Sequence, residues 1–74
     1  MTWSAKFTVQ DVGDGPAPID VLAVAQADVV VSNTEGRIKA MELRIQFDED
    51  EIALRPGDVI NGHGHFVAAP AAGA

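Results

Sequence analysis

The run TWSAKFTVQ, residues 2–10, alternates between polar and apolar side chains without interruption. Trp3, Ala5, Phe7 and Val9 share one parity, and three of them are aromatic or β-branched. A period of two places alternate side chains on opposite faces of an extended chain, and strands are enriched in these residue types. The run therefore predicts a β-strand with one buried face.

A second alternating run lies in RIKAMELRIQF, residues 37–47. Its later part predicts a strand whose buried face carries Met41, Leu43, Ile45 and Phe47. The first four residues have the opposite phase, because Ile38 and Ala40 are apolar there. A change of phase within a strand indicates a bulge or a twist, here near Ala40.

The segment between these runs, residues 19–31, is apolar almost throughout. Its valines favour one long strand, or two short strands broken near residues 26–28. Its alanines leave a short helix over residues 22–27 as the alternative. A strand that is apolar on both faces is usually buried on both, and so short a chain has little to cover the second face. We therefore expect another protein chain to supply that cover.

Glycine, proline and short polar residues mark the connections. They predict a loop over residues 11–18, a hairpin turn at 32–36 and a reverse turn at Pro56-Gly57. Short strands are expected over 52–55, from 58 onward and over 66–70, followed by a flexible tail over 70–74. The whole predicts a single domain over residues 1–74, mostly β, built as a small sandwich or an open barrel of four to six short strands.

The size of the chain limits its core. A chain of 74 residues buries only about 60% of the surface that it exposes when unfolded. Small folds compensate with disulfides, a structural metal or association, and the absence of cysteine removes disulfides and thiolate zinc sites. Association with a protein partner or in a homo-oligomer is the remedy that remains.

Charge and hydropathy narrow the classes of partner. The net charge is −6 with only five basic residues, which disfavours nucleic-acid binding because phosphate contacts need clustered Lys and Arg. No segment approaches the roughly 20 apolar residues of a membrane span, and residues 1–6 lack the layout of a signal peptide. We therefore expect no membrane association and a cytoplasmic location, alone or in a virion assembled in the cytoplasm.

The sequence NGHGH places His63 and His65 between glycines, and it is the segment most suggestive of chemistry. In an extended segment the two imidazoles would share a face and could hold a metal, with a third ligand from Asp58 or from the acidic residues 48–51. Acid–base chemistry is the other functional alternative. Catalytic zinc normally needs three protein ligands, so the favoured interpretation is a tight glycine loop with two exposed imidazoles and no metal or cofactor.

Other catalytic and cation-binding patterns find little support. The acidic run at residues 48–51 lacks the central glycine and the alternate oxygen ligands of a calcium loop, which favours a solvated turn. The serines, Ser4 and Ser32, do not sit in a nucleophile elbow, and a chain of this size offers little room for a desolvated cleft. We therefore expect that the protein is not an enzyme.

These observations predict a non-enzymatic structural accessory subunit that docks on a larger protein assembly, for example a capsid or tail component of a virion. The alternatives are a small acidic inhibitor or ligand-sequestering protein and, more weakly, a metal-binding domain that uses His63 and His65. Aromatic and valine side chains of the apolar runs are the interface candidates, since Trp is enriched at binding hot spots. They are Trp3, Phe7, Val29, Val31, Phe66 and Val67.

Overall fold

The computed structural model describes residues 1–32 and 34–65, which form six strands and no helix. The strands are β1 (Thr2–Val12), β2 (Ile19–Ala25), β3 (Val29–Val30), β4 (Arg37–Ile38), β5 (Glu42–Phe47) and β6 (Val59–His65). The prediction of a mostly β fold with four to six short strands is confirmed. Asn33 and residues 66–74 lie outside the described part, and with them the predicted strand over 66–70 and the predicted tail.

Four strands form one antiparallel sheet in the order β5-β2-β1-β6, and this sheet curls into a half-barrel. The strands β3 and β4 form a separate hairpin, with Val29 opposite Ile38. A bridge between Trp3 and Val31 joins the hairpin to β1, beside which the Ser32 amide donates to the Thr2 carbonyl at 2.8 Å. The architecture is therefore of the predicted open-barrel type. Within the predicted turn at residues 32–36, the described residues Ser32, Thr34 and Glu35 lie in turn or bend conformations between β3 and β4.

Strand β1 is the centre of the sheet and is longer than its alternation predicts. A register shift between Val9 and Asp11 lets the strand continue to Val12, which pairs with Val21 of β2. The prediction of a loop from residue 11 is wrong by two residues, because the extra residue at the bulge shifts the phase by one and brings Val12 opposite Val21, where it packs on the core. The irregular segment begins at Gly13.

The apolar segment over residues 19–31 forms two strands, as preferred from its valines. Ile19, Val21 and Ala23 are buried on the inner face of β2, so the period is two and the short helix considered over residues 22–27 does not form. The chain leaves this strand at residues 26–28 and resumes as β3, in which Val29 is buried.

The core fills the concave side of the half-barrel. Val9, Ile19 and Val21 form a buried cluster, and partly buried residues from the rest of the chain pack on it, namely Val12, Phe47, Ile52, Leu54 and Ile60. The strand expected over residues 52–55 is absent, because this segment crosses the concave face instead of pairing at a sheet edge. The chain thus covers much of its own inner face.

Two turns precede the edge strands. Ala40, where a bulge within one strand is expected, has φ of 52° and lies in a turn that separates β4 from β5. The reversal of phase therefore marks a change of sheet rather than a bulge. The reverse turn at Pro56-Gly57 is confirmed, with Gly57 at φ 96° and the Asp58 carboxylate accepting from the Arg55 amide at 2.9 Å.

Candidate functional site

His63 and His65 lie in β6 and not in a loop, so the favoured interpretation of the segment is wrong. Each is paired with a residue of β1, His63 with Ser4 and His65 with Thr2. Both imidazoles are exposed on the outer face of the sheet, as expected from the sequence. The exposure was predictable, but the extended conformation was not.

The glycines between the histidines allow this strand to form, because aromatic rings of β1 occupy the space of their missing side chains. A Cβ on Gly62 would lie 2.6 Å from Cε1 of Phe7, and one on Gly64 would lie 2.8 Å from Cζ2 of Trp3. The two rings meet edge to face with centroids 5.8 Å apart. Such cover of strand glycines by aromatic neighbours stabilises a sheet that would otherwise have a void.

The geometry does not bring the predicted third metal ligand to the histidines. Asp58 precedes β6 and is five residues from His63, about 16 Å along an extended chain. The cross-strand neighbours of the histidines are the hydroxyl residues Thr2 and Ser4. In residues 1–32 and 34–65 no three His, Cys, Asp or Glu side chains are grouped to hold a metal ion.

Strand β6 is one edge of the sheet, and its register shows which backbone groups are directed outward. The Val9 amide donates to the Asp58 carbonyl at 2.8 Å, and Phe7 is paired with Ile60. Hydrogen-bonded pairs alternate along an antiparallel ladder, so the even-numbered positions of β6 bond to β1. The amides and carbonyls of Val59, Asn61 and His63 are therefore directed away from β1, where no described strand pairs with them.

Strand β5 is the other edge, and the same reasoning applies to it. The Ala25 amide donates to the Met41 carbonyl at 2.8 Å, so the odd-numbered positions of β5 bond to β2. The outward backbone groups belong to Glu42, Arg44 and Gln46. No strand of the described residues pairs with this edge either.

The side chains at the two edges differ in charge. The outward positions of β5 include a carboxylate and a guanidinium, Glu42 and Arg44, with Arg44 Nη2 3.8 Å from Glu42 Oε2. Charged side chains are a common means of preventing an edge from pairing with another chain. The outward positions of β6 carry valine, asparagine and histidine, and Val59 is 56% exposed. By this criterion β6 is the unprotected edge of the sheet.

Charge is also distributed unequally along the strands. The row Thr8, Val24 and Glu42 crosses the sheet and divides the chain into two parts. The acidic half, residues 9–23 and 43–58, contains eight carboxylates and two arginines. The neutral half, residues 1–8, 24–42 and 59–65, contains three carboxylates, three basic side chains and both histidines. The whole net charge of −6 therefore lies in the acidic half.

The acidic residues 48–51 have a local structural role that the sequence did not indicate. The Asp50 carboxylate accepts a hydrogen bond from the Ala17 amide at 3.1 Å. The turn after β5 thus holds the loop that connects β1 to β2. This contact explains part of the acidic run by the fold itself.

A groove of about 500 Å³ lies on the outer face within the acidic half. Asp11, Asp20, Arg44 and Gln46 line it, and the Gln46 amide donates to the Asp20 carboxylate at 3.2 Å. The groove combines carboxylates with a guanidinium, so its charge does not select one class of ligand. It adds no support to the ligand-sequestering alternative.

The predicted interface residues fall in three different environments. Phe7, Val29 and Val31 are 0%, 1% and 6% exposed, so they have little area to offer a partner. Trp3 is half-buried over Gly64, and Phe66 and Val67 lie outside the described residues. Their role at an interface stays a prediction. Sequence reasoning missed β6 as an edge, and the signal available was the regular alternation of glycine and histidine.

The chain matches no protein-family model, no curated protein and no solved structure. The described residues include no helix of the length and apolarity needed to cross a membrane. The geometry of the fold and the chemistry of its two edges are therefore the basis on which a function can be assigned.

Proposed function

We propose that this protein is a non-enzymatic structural subunit that associates with other protein chains by strand addition at β6. The observation that carries the proposal is the unequal protection of the two edges. Outward backbone groups are available on both, but only β5 places charged side chains at those positions. An edge strand without such protection is a template for pairing with another chain.

The chemistry of β6 suits this mode of binding. In strand addition, backbone hydrogen bonds supply affinity and the alternate side-chain positions supply selectivity. The exposed side chain of Val59 adds an apolar contact, and Asn61 and the two histidines add side chains that can hydrogen-bond to a partner. The class of assembly that we propose is the one expected from the sequence, a larger protein shell or tail on which this chain is an accessory subunit.

Proline substitution at outward positions tests the proposal. Asn61→Pro removes one outward amide of β6 without removing a hydrogen bond to β1, because edge positions of this kind accept proline. Arg44→Pro is the matched control at an outward position of β5. The measurement is the size and composition of the native assembly, by sedimentation of the full chain with its purified partners. We expect Asn61→Pro to lose association and Arg44→Pro to retain it, and equal retention by both variants would contradict the proposal.

A further inference from the structure

We infer that the strand that adds to β6 is the β6 strand of a second copy, running antiparallel about a two-fold axis. The inference rests on the proposed function, since it names the occupant of the same edge. A two-fold axis perpendicular to the sheet keeps the concave faces of both copies on one side. The result is a continuous eight-stranded sheet with β6 next to β6 at its centre.

The register follows from the outward backbone groups. The alternation that directs the backbone groups of Val59, Asn61 and His63 outward applies to His65 as well. When Val59 of one copy pairs with His65 of the other, Asn61 pairs with His63, and these four residues all lie opposite one another. Each such pair exchanges two hydrogen bonds, so the interface forms about eight of them. Sliding one strand by two residues so that Asn61 pairs with Asn61 leaves His65 opposite Gly57, which lies outside β6, and loses about two of these bonds.

The side chains are self-complementary in this register. On the outer face the Asn61 amide meets the imidazole of His63, and Val59 meets His65, so no two positions with a fixed like charge are opposed. On the inner face Gly62 meets Gly62 and Ile60 meets Gly64. Isoleucine opposite glycine avoids a steric conflict between the two copies.

The distribution of charge selects an antiparallel copy over a parallel one. Because all of β6 lies in the neutral half and the acidic half begins beyond its Val59 end, at Asp58, antiparallel pairing sets the two neutral halves side by side and the two acidic halves at opposite ends of the dimer. Parallel pairing would instead place two regions of net charge −6 side by side, which is repulsive.

Charge exchange at the central pair is the first test. The variant Asn61→Lys with His63→Lys opposes lysines across the interface, and Asn61→Glu with His63→Glu opposes glutamates. We expect the unmodified chain to sediment as a dimer, each variant alone as a monomer, and an equimolar mixture of the two variants as a dimer again. Gln46→Lys, at an outward position of β5, is the matched control and should remain dimeric.

Cross-linking tests the register without a change of charge. The chain has no cysteine, so Asn61→Cys and His63→Cys each introduce a single thiol. In the proposed register position 61 of one copy is opposite position 63 of the other, within the spacing of a disulfide-forming pair. We expect a mixture of the two variants to cross-link faster under mild oxidation than either variant alone. Cross-linking therefore also tests the β6–β6 interface if the lysine or glutamate variants fail to fold.

Each contrary result has a defined meaning. A dimer that persists in both like-charged variants, or faster cross-linking of one cysteine variant with itself, overturns the proposed interface. A monomer at every soluble concentration, with outward amides of β6 that exchange freely and become protected by a different protein, overturns the second copy but leaves strand addition intact. A monomer whose outward β6 amides are already protected from exchange overturns both the second copy and strand addition at β6.

Discussion

The strands β5 and β6 are opposite edges of one sheet, yet they are built in different ways. Strand β5 presents large apolar side chains inward, Leu43, Ile45 and Phe47, and charged or polar side chains outward. Strand β6 presents Ile60 and two glycines inward and no Asp, Glu, Lys or Arg outward. The comparison shows that a strand can be stabilised by side chains of the neighbouring strand while the backbone groups on its outer side have no partner among the described strands.

Because the glycines of β6 pack on aromatic side chains of β1, we expect substitution of Phe7 to cause the largest loss of stability. Phe7→Ala removes a fully buried ring, which costs about 3–5 kcal/mol, and it also uncovers Gly62. Urea denaturation followed by the fluorescence of Trp3 gives the loss of stability. Amide exchange should show β6 released before β5.

The control for this change is Phe47→Ala, since Phe47 is the half-buried aromatic of β5. Its loss of stability should be smaller, and its effect on exchange should be concentrated in β5. Equal destabilisation of both edges by both substitutions would show that the two strands are not supported separately.

Adding a side chain to β6 should have the next largest effect. Gly62→Val places a Cβ against the buried ring of Phe7, and overpacking of this kind costs about 1–3 kcal/mol. Ser4→Val is the control at an exposed position of the neighbouring strand β1, where a change within about 0.5 kcal/mol is expected. Chemical denaturation of the two variants under identical conditions checks the difference, which would vanish if Phe7 could move aside.

The turns that precede the two edges should respond in opposite directions. Gly57→Ala puts a side chain at φ 96° before β6 and should destabilise the fold by about 1 kcal/mol. Ala40→Gly relieves an alanine held at φ 52° before β5, which is worth up to about 1 kcal/mol. Thermal unfolding of the pair measures both shifts, and shifts of the same sign would contradict the turn assignments.

Neutralising the β5 edge should change stability least but association most visibly. The pair Glu42 and Arg44 is exposed and 3.8 Å apart, so Glu42→Gln with Arg44→Gln should alter the free energy of unfolding by less than about 0.5 kcal/mol. Without these charges the second edge becomes available, and sedimentation should reveal species larger than those of the unmodified chain. A distribution of sizes identical to that of the unmodified chain would show that charge does not protect β5.

The fold class was predictable because alternation of side chains is a local property. The runs at residues 2–10 and 41–47 predict a strand and its inward face, and the structure confirms both strands, with the inward side chains of β5 half-buried and Met41 just before it. The break at residues 26–28 and the turn at Pro56-Gly57 were likewise visible in the residue types. Each of these features depends on residues close together in the chain.

The features that sequence reasoning missed depend on distant residues. Glycines usually indicate a loop, and only the presence of Trp3 and Phe7 opposite them makes β6 a strand. The segment with Ile52 and Leu54 was expected to be a strand, but it lies over the core, where these two side chains pack on the buried cluster of Val9, Ile19 and Val21. The open edge itself is a property of strand order, which local patterns do not contain.

Amide exchange of the full chain, resolved by residue and measured over a range of protein concentrations, tests the difference between the edges most directly. The outward amides of β6, at Val59, Asn61 and His63, should become protected from exchange as the protein concentration rises. Those of Glu42, Arg44 and Gln46 on β5 should exchange rapidly at every concentration. Protection that rises equally at both edges, or at neither edge in the presence or absence of any partner, would contradict the assignment of β6 as the docking edge.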